Sequence, residues 1–187
     1  MRSISLAIRH TLTVMPAAGR LYPYVGPREL RASRREPSAI TVTSRAVLAA
    51  WLDGRARDEL AEPFTFTVTA GGDLLLAPRR SEHVHCAGGR AVLAAGEITF
   101  GQDGQAWRAV AVTNHSTGYC PAPESWPAVA AALDRAGIAH PDGYDPAVVF
   151  RRCPGCQAIN IVRDEHFACA ICDGPVPREW NISQAPS

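Results

Sequence analysis

Four cysteines near the end of the sequence are spaced like the ligands of a metal ion. Cys153 and Cys156 form one Cys-x-x-Cys pair, and Cys169 and Cys172 form a second pair after twelve intervening residues. Each pair can bend around one side of an ion, while the hairpin between them brings the second pair to the other side. Four thiolates leave no open coordination position, so we expect a structural ion. Sulfur also suits iron, but zinc is the cofactor predicted for a chain with no other redox signature.

The segment of about residues 150 to 180 that contains these pairs resembles zinc ribbons of the rubredoxin-knuckle type. We expect its two hairpin strands at residues 160–162 and 166–168, with Asp164 and Glu165 near the turn. The resemblance implies a module that binds nucleic acid, binds protein or braces another domain, and it does not choose among these roles.

A second group of reactive side chains lies between residues 79 and 121, among apolar stretches. The residues predicted to be catalytic are His83, Glu97, His115, Tyr119 and Cys120. The residues predicted to bind a ligand are Arg79, Arg80, Glu82, Asn114 and Ser116. Neither set has the spacing of an established motif, so any chemistry depends on whether the fold brings them together.

Three kinds of chemistry could use this polar group. A thiolate nucleophile would pair Cys86 or Cys120 with a histidine oriented by Glu82 or Glu97. Acid-base work would use Glu97 and Tyr119. A second zinc ion with an open coordination position could activate water. Its ligands would be two or three of four side chains, those of His83, His85, His115 and Cys120.

A structural role for the same residues is favoured over these chemistries. Residues 115–118 can form a strand-to-helix turn in which side chains satisfy backbone groups. Tyr119 can pack in the core, and Cys86 and Cys120 can act as small buried hydrophobic residues. The order of His83, residues 92–97 and residues 114–121 resembles a β-module of uncharacterised bacterial proteins. That resemblance implies a bacterial source and no particular activity.

Hydrophobic periodicity predicts an α+β fold that must position these residues. We expect an antiparallel β-meander or partly closed barrel. Its predicted strands are residues 64–68, 74–76, 83–86, 90–94, 97–100 and 107–113, joined by glycine-rich turns such as Gly71-Gly72 and Gly96.

Two packing helices are predicted to cover this sheet. The first is capped by Thr43 or Ser44, carries an apolar stripe and ends at Gly54; the stripe consists of Val47, Leu48, Trp51 and Leu52. The second begins at Ser125 as its cap and ends at Gly137; its buried stripe consists of Val129, Leu133 and Ala136.

Length and composition favour one main domain with a small appendage. We predict an α+β domain over residues 1–147, with a β-rich core at 64–114, and a zinc ribbon over residues 148–187. A hydrophobic share of 47% and a charged share of 20% exclude wholesale disorder. The alternation of Ile4, Leu6 and Ile8 predicts an N-terminal strand, and the basic run at 28–35 predicts a solvated loop or short helix face.

The charge balance excludes a global field that would draw the chain to nucleic acid or an anionic membrane, because the net charge is +1. Arginines in the ribbon could contact phosphates, but nearby acidic residues offset them, so nucleic acid is not the favoured partner. The sequence shows no apolar signal segment or membrane span, which predicts a cytoplasmic protein without a membrane partner. Four of the six cysteines suit thiolate ligands in a reducing compartment.

These observations predict a cytoplasmic zinc-binding protein whose β-rich domain recognises a protein partner or a small ligand. The sequence has no phosphate loop, nucleophile elbow or dinucleotide fingerprint, which favours binding over catalysis. One alternative is a small enzyme for group transfer or hydrolysis that uses residues 82–120, and another is a nucleic-acid-binding ribbon protein. All 19 basic residues are arginine. A GC-rich genome is the favoured cause, and the alternative is a toxin or effector that avoids lysine modification.

Overall fold

The computed structural model describes residues 19–33, 39–104 and 106–183. The predicted strand around Ile4, Leu6 and Ile8 lies outside these ranges. Within them the chain is mixed α and β, with a mostly antiparallel main sheet, as the α+β prediction requires. In chain order the elements are α1 (Arg28–Ala32), β1 (Ile40–Val42), α2 (Arg45–Asp53), α3 (Arg57–Leu60), β2 (Phe64–Thr69), β3 (Leu74–Ala77), α4 (His83–Cys86), β4 (Val92–Asp103), β5 (Ala106–Thr113), a 3-10 turn (Pro123–Ser125), α5 (Trp126–Ala136), β6 (Val149–Arg152) and β7 (Ile159–Val162).

The main sheet has five antiparallel strands in the order β1-β3-β2-β4-β5. The strands β2 and β3 form one hairpin, and β4 and β5 form another. The segment between the hairpins crosses over, because β4 pairs with β2 rather than with β3. The prediction of a simple meander is therefore only partly correct, and a partly closed barrel is wrong. The strands β1 and β5 remain at opposite edges and do not pair in the described chain, so the sheet is open.

The first face of the sheet is covered by α2 and α5, as predicted. Ser44 caps α2, since its Oγ accepts a hydrogen bond from the Val47 amide at 3.3 Å. Leu48 and Leu52, one turn apart, are fully buried against the sheet. Val47 was expected on the same stripe, but it lies on the outer side and is 36% exposed. No helix in the described ranges is both long and apolar enough to cross a bilayer.

Helix α5 buries Val129, Leu133 and Ala136, in agreement with the prediction. It ends at Gly137, whose φ of 71° is the left-handed conformation that favours glycine. The predicted cap is wrong, however. The Ser125 hydroxyl donates to the carbonyl of Ala122 at 2.7 Å and contacts the Tyr144 hydroxyl at 2.8 Å, so no side chain caps the first turn of α5.

The second face of the sheet lies under α4 and the segments that flank it. Residues 83–86 were predicted as a strand but form one helical turn, in which the Cys86 amide donates to the Glu82 carbonyl at 3.0 Å. Val84 and Cys86 are buried and His83 and His85 are half-buried. A four-residue alternation is compatible with either conformation, so periodicity alone could not distinguish them.

Residues 90–94 and 97–100 were predicted as two strands joined at Gly96, but they belong to the single long strand β4. Gly96 is inside that strand, since its backbone passes so close to β5 that an added Cβ would collide with the carbonyl oxygen of Thr113. This glycine permits a close approach of two backbones instead of a turn.

The C-terminal part of the chain contains a two-stranded antiparallel sheet, in which β6 pairs with β7. The predicted second hairpin strand at 166–168 is wrong, because β6 occupies the place beside β7. Phe150 of β6 packs with Val25, Cys120 and Ile182 in a buried cluster that joins this sheet to the rest of the chain. The exposed α1, which covers part of the basic run at 28–35, is a short helix with no buried residue, as the solvated interpretation requires.

Candidate metal centre and the polar residues of the main sheet

The sulfur atoms of Cys153, Cys156, Cys169 and Cys172 all lie within 4.8 Å of one another. The Cys153 and Cys172 sulfurs are 3.6 Å apart, and those of Cys156 and Cys169 are 3.5 Å apart. Both distances far exceed the roughly 2.05 Å of a disulfide bond. They approach the edge of about 3.8 Å that a tetrahedron with sulfur bonds of about 2.3 Å would have. The four sulfurs therefore fit one metal ion in a closed shell.

The two Cys-x-x-Cys loops have the same backbone hydrogen bonds. The amide of the first cysteine donates to the carbonyl of the residue five positions later. The distances are 2.9 Å from Cys153 to Ala158 and 2.8 Å from Cys169 to Gly174. The amide of the residue after the second cysteine donates to the carbonyl of the first cysteine, at 3.0 Å in both loops. That residue is Gln157 or Asp173, with φ values of 64° and 54°. The site is thus built from two equivalent loops that meet at the four sulfurs.

Hydrogen-bond donors surround the Cys169 sulfur. The Ile171 amide donates to it at 3.4 Å, and the side-chain nitrogen of Asn160 lies at 3.6 Å. These donors, the Ile171 amide foremost, lower the pKa of Cys169, whereas contacts with the neighbouring sulfurs raise the pKa values of Cys156 and Cys172. The Asn160 oxygen also accepts from the Ala170 amide at 2.9 Å, which ties β7 to the second loop. Sequence reasoning placed Asn160 in a strand but missed this role, for which no spacing rule exists.

The site lies at the surface of the C-terminal sheet. Cys153 and Cys169 are buried and pack with Val176, whereas Cys156 and Cys172 are exposed. A metal ion can therefore reach the four sulfurs from solvent without a large opening of the fold.

The side chains of two predicted catalytic residues form hydrogen bonds with backbone carbonyls. The Nε2 atom of His83 lies 3.0 Å from the carbonyl oxygen of Gly96, and burial lowers the pKa of this imidazole to about 4. The Tyr119 hydroxyl donates to the carbonyl of Arg90 at 2.8 Å, and burial raises its pKa. Both side chains thus act as ties between segments of the fold.

The two cysteines outside the metal site are buried thiols. The Cys120 sulfur lies 3.2 Å from the Thr117 carbonyl, and burial raises its pKa to about 12. The Cys86 sulfur lies 3.5 Å from the Thr67 hydroxyl, and burial raises its pKa to about 11. Both thiols are therefore protonated at neutral pH, the state opposite to that of a nucleophile.

The remaining predicted catalytic residues are His115 and Glu97. The pKa of His83 is lowered mainly by burial and also by the charge of His115, so these two imidazoles are neighbours. His115 is exposed and its ring is stacked on Phe150 with a centroid distance of 6.4 Å. Glu97 is half-buried within β4. In the part of the chain that the structure describes, the four cysteines are the only group of three or more metal-ligating side chains. The alternative of a second zinc on His83, His85, His115 and Cys120 is therefore not supported.

The residues predicted to bind a ligand divide into two sets. Asn114 is fully buried and its side chain bonds three backbone groups: the Pro121 carbonyl at 2.8 Å, the Val148 carbonyl at 2.7 Å and the Val148 amide at 2.6 Å. Ser116 is also buried, and its hydroxyl has no hydrogen-bond partner among the described residues. These two residues face the interior rather than a cleft.

The other three predicted ligand-binding residues do line a common cleft. Arg79, Arg80 and Glu82 border a space of about 430 Å³, together with His85. Arg79 pairs with Glu62 at 3.0 Å, so its charge is already balanced. The His85 Nε2 atom lies 2.8 Å from the Leu30 carbonyl and 2.9 Å from the Ser33 hydroxyl.

No protein-family model matches this chain, and no curated protein and no solved structure matches it either.

Proposed function

We propose that this chain is a zinc-binding protein in which residues 148–187 form a zinc ribbon that braces a β-rich domain, and that the β-rich domain recognises a small ligand or a protein partner in the cytoplasm. The observation that supports the zinc site is the meeting of four cysteine sulfurs within 4.8 Å. Soft thiolates select zinc or an iron site, and zinc forms closed structural sites with four sulfurs.

The contacts of the ribbon support a bracing role. Arg151 of β6 is 8% exposed and its guanidinium donates to the carbonyls of Phe150, Pro177 and Arg178 at 2.7, 3.1 and 3.0 Å. The Trp180 indole donates to the Cys120 carbonyl at 2.8 Å. An ion that fixes the two loops would therefore also fix the strand and the following segment against the main sheet.

A binding role is better supported than catalysis. The buried thiols Cys86 and Cys120 have raised pKa values, and His83 and Tyr119 are bound to backbone carbonyls. A nucleophile and its base must lie within hydrogen-bond reach of each other, and these residues instead satisfy separate partners. The net charge of +1 also makes a nucleic-acid partner less well supported than a small ligand or protein.

Metal content per chain tests the zinc site. We expect one zinc per native chain and none in Cys153→Ser, because three sulfurs bind zinc much less tightly than four. Cys86→Ser is the matched control. The Cys86 sulfur contacts Thr67 and does not belong to the cluster of four cysteines, so this substitution should leave the zinc in place. An iron content of one, visible as a coloured thiolate complex, would refute zinc as the metal. Metal retained at full level in Cys153→Ser would refute the site itself.

A further inference from the structure

A cleft of about 560 Å³ lies between the main sheet, the start of α5 and the segment that follows the cysteine loops. Its aromatic wall consists of Tyr22 and Trp180, whose rings meet edge to face at 5.2 Å. The volume is within the range of small-molecule sites, about 300–1,000 Å³. None of the residues predicted from the sequence to bind a ligand lines it.

Three arginines line this cleft: Arg20, Arg151 and Arg178. The Arg178 guanidinium lies over the Phe167 ring at 4.7 Å and would have to turn toward the cleft to meet a ligand. Arg20 lies over the Trp180 ring at 4.7 Å. No carboxylate of a described residue forms a salt bridge with any of the three, because the salt bridges in the described ranges involve other side chains. The positive charge around the cleft is thus held by ring contacts and backbone carbonyls rather than by ion pairs.

The buried Arg151 is the least solvated of these charges. Its hydrogen bonds go to backbone carbonyls, which carry only partial negative charge. Burial lowers the pKa of this guanidinium, and Glu124 nearby partly opposes that effect. A buried cation without an anionic partner within bonding distance is costly, so an anion in the cleft would be stabilised by it.

The start of α5 forms another wall of the cleft, through Ser125, Pro127 and Ala128. This helix has eleven residues, and no side chain caps its first turn. The amides of Ser125 and Trp126 already donate to the Ala122 and Pro123 carbonyls, and Pro127 has no amide hydrogen. The helix therefore adds to the charge of the arginines through its dipole rather than through free amides. Glu124 and Glu179 also line the cleft and can accept hydrogen bonds from donor groups of a ligand.

We infer that this cleft binds a small molecule that carries an oxyanion, either a phosphate or a carboxylate, on an aromatic or hydroxyl-bearing body. The oxyanion lies at the arginines and the start of α5, and the body lies along Tyr22 and Trp180. The lining is too nearly balanced in charge for a nucleic-acid strand, since two glutamates accompany the three arginines. This inference rests on the proposed binding role and gives it a ligand class.

Phenyl phosphate and benzoate, titrated into zinc-loaded protein, test the inference and distinguish the two oxyanions. The readout is the indole N–H signal of each tryptophan in the NMR spectrum of nitrogen-15-labelled protein. We expect the Trp180 signal to move with at least one of the two probes at millimolar concentration. The signals of Trp51 and Trp107, which do not line the cleft, should stay fixed. Phenol, which has the ring without the oxyanion, should bind at least tenfold more weakly.

The arginines are tested with Arg20→Gln and Arg178→Gln, which change exposed side chains and should leave the fold intact. Each should weaken binding of the active probe about tenfold, as expected for loss of a charge-assisted hydrogen bond. Arg108→Gln, an exposed change on β5 away from the cleft, is the matched control and should bind like the native chain.

Three outcomes would overturn the inference. They are a Trp180 signal that no probe moves, equal weakening in Arg108→Gln, and binding of a single-stranded oligonucleotide in place of the small probes. Zinc content is measured on the same samples. Full zinc with no oxyanion binding refutes the cleft alone, whereas oxyanion binding with no zinc refutes the metal site alone.

Discussion

The cysteine site and the polar residues of the main sheet both consist of side chains that can bind a ligand, but they differ in what those side chains contact. In the cysteine site, four sulfurs point to one centre, and backbone amides lie around them. Around the main sheet, His83, Tyr119 and Asn114 each contact a different backbone carbonyl, of Gly96, Arg90 and Pro121 respectively. The first arrangement leaves ligand atoms available for an ion, whereas the second uses its polar atoms to hold segments together.

The difference teaches how far a reactive side chain can be interpreted without its neighbours. Each cysteine pair lies within a single loop, so its geometry is set by the local backbone. The polar residues are spread over about forty positions, and their contacts depend on how helices and strands are placed. A hydrogen bond from such a side chain to a buried carbonyl is therefore as good an explanation of its presence as catalysis.

The largest expected effect comes from breaking the cysteine site. Cys169→Ser should release the metal and destabilise residues 149–176 by several kcal/mol, because metal binding and folding are one equilibrium in small metal-bound modules. Hydrogen exchange of that region, with and without a chelator, measures the loss. Cys86→Ala is the control, and it should leave the exchange of residues 149–176 unchanged. If chelated native protein keeps full protection there, the structural role is refuted.

The next largest effect should come from Asn114→Ala, which removes a fully buried amide from three backbone bonds. The abandoned Val148 and Pro121 groups would be buried without partners, so we expect a loss of about 3 kcal/mol in the free energy of unfolding. Urea denaturation measures it, with the exposed Gln102→Ala as control. A stable Asn114→Ala chain would instead return this residue to the set of ligand-binding candidates.

A pH effect of about 2 kcal/mol should come from His83. Its folded pKa of about 4 lies below the ordinary histidine value of 6.5, so the unfolded chain binds the proton more readily. The stabilisation is present above about pH 6.5 and is lost as the pH falls toward 4. Between about pH 7 and pH 5 the native chain should lose about 2 kcal/mol more than His83→Gln, which cannot titrate. Equal pH dependence of the two chains would show that this imidazole is solvated.

The smallest expected signal is the reactivity of the buried thiols. With a pKa of about 11, about one Cys86 side chain in a thousand is ionised at pH 8. Iodoacetamide should therefore modify neither Cys86 nor Cys120 in the folded chain and should modify both after denaturation. Mass spectrometry of peptides separates these sites from the metal ligands. Rapid labelling of Cys120 in the folded chain would reopen the hypothesis of a thiolate nucleophile.

The sequence predicts the local features of this molecule better than its long-range pairings. The clustering of the four cysteines, the Ser44 cap and the end of α5 at Gly137 each depend on a few neighbouring residues, and the structure confirms them. Metal binding by the cysteines stays a proposal. The partner of β7 does not follow from such rules. The segments at 149–152 and at 166–168, each with a phenylalanine, were both available, and the choice depends on packing around Phe150.

The candidate site was predictable only in part for the same reason. The approach of Gly96 to Thr113 and the helical turn at His83–Cys86 depend on the crossover between the two hairpins, which no short pattern encodes. The cleft beside Trp180 combines residues from the beginning, the middle and the end of the described chain. The division into domains at residue 147 stays a prediction.

The matched hydrogen bonds of the two cysteine loops have a consequence for protein engineering. Because residues 153–158 and 169–174 share one backbone frame, the side chains at the loop tips do not set it. Ile171 at one tip is 75% exposed, and Gly155 at the other has no side chain at all. Both tips are therefore positions at which a side chain can be exchanged, for example for a fluorescent amino acid, while the backbone of the loops and the four sulfurs keep their arrangement.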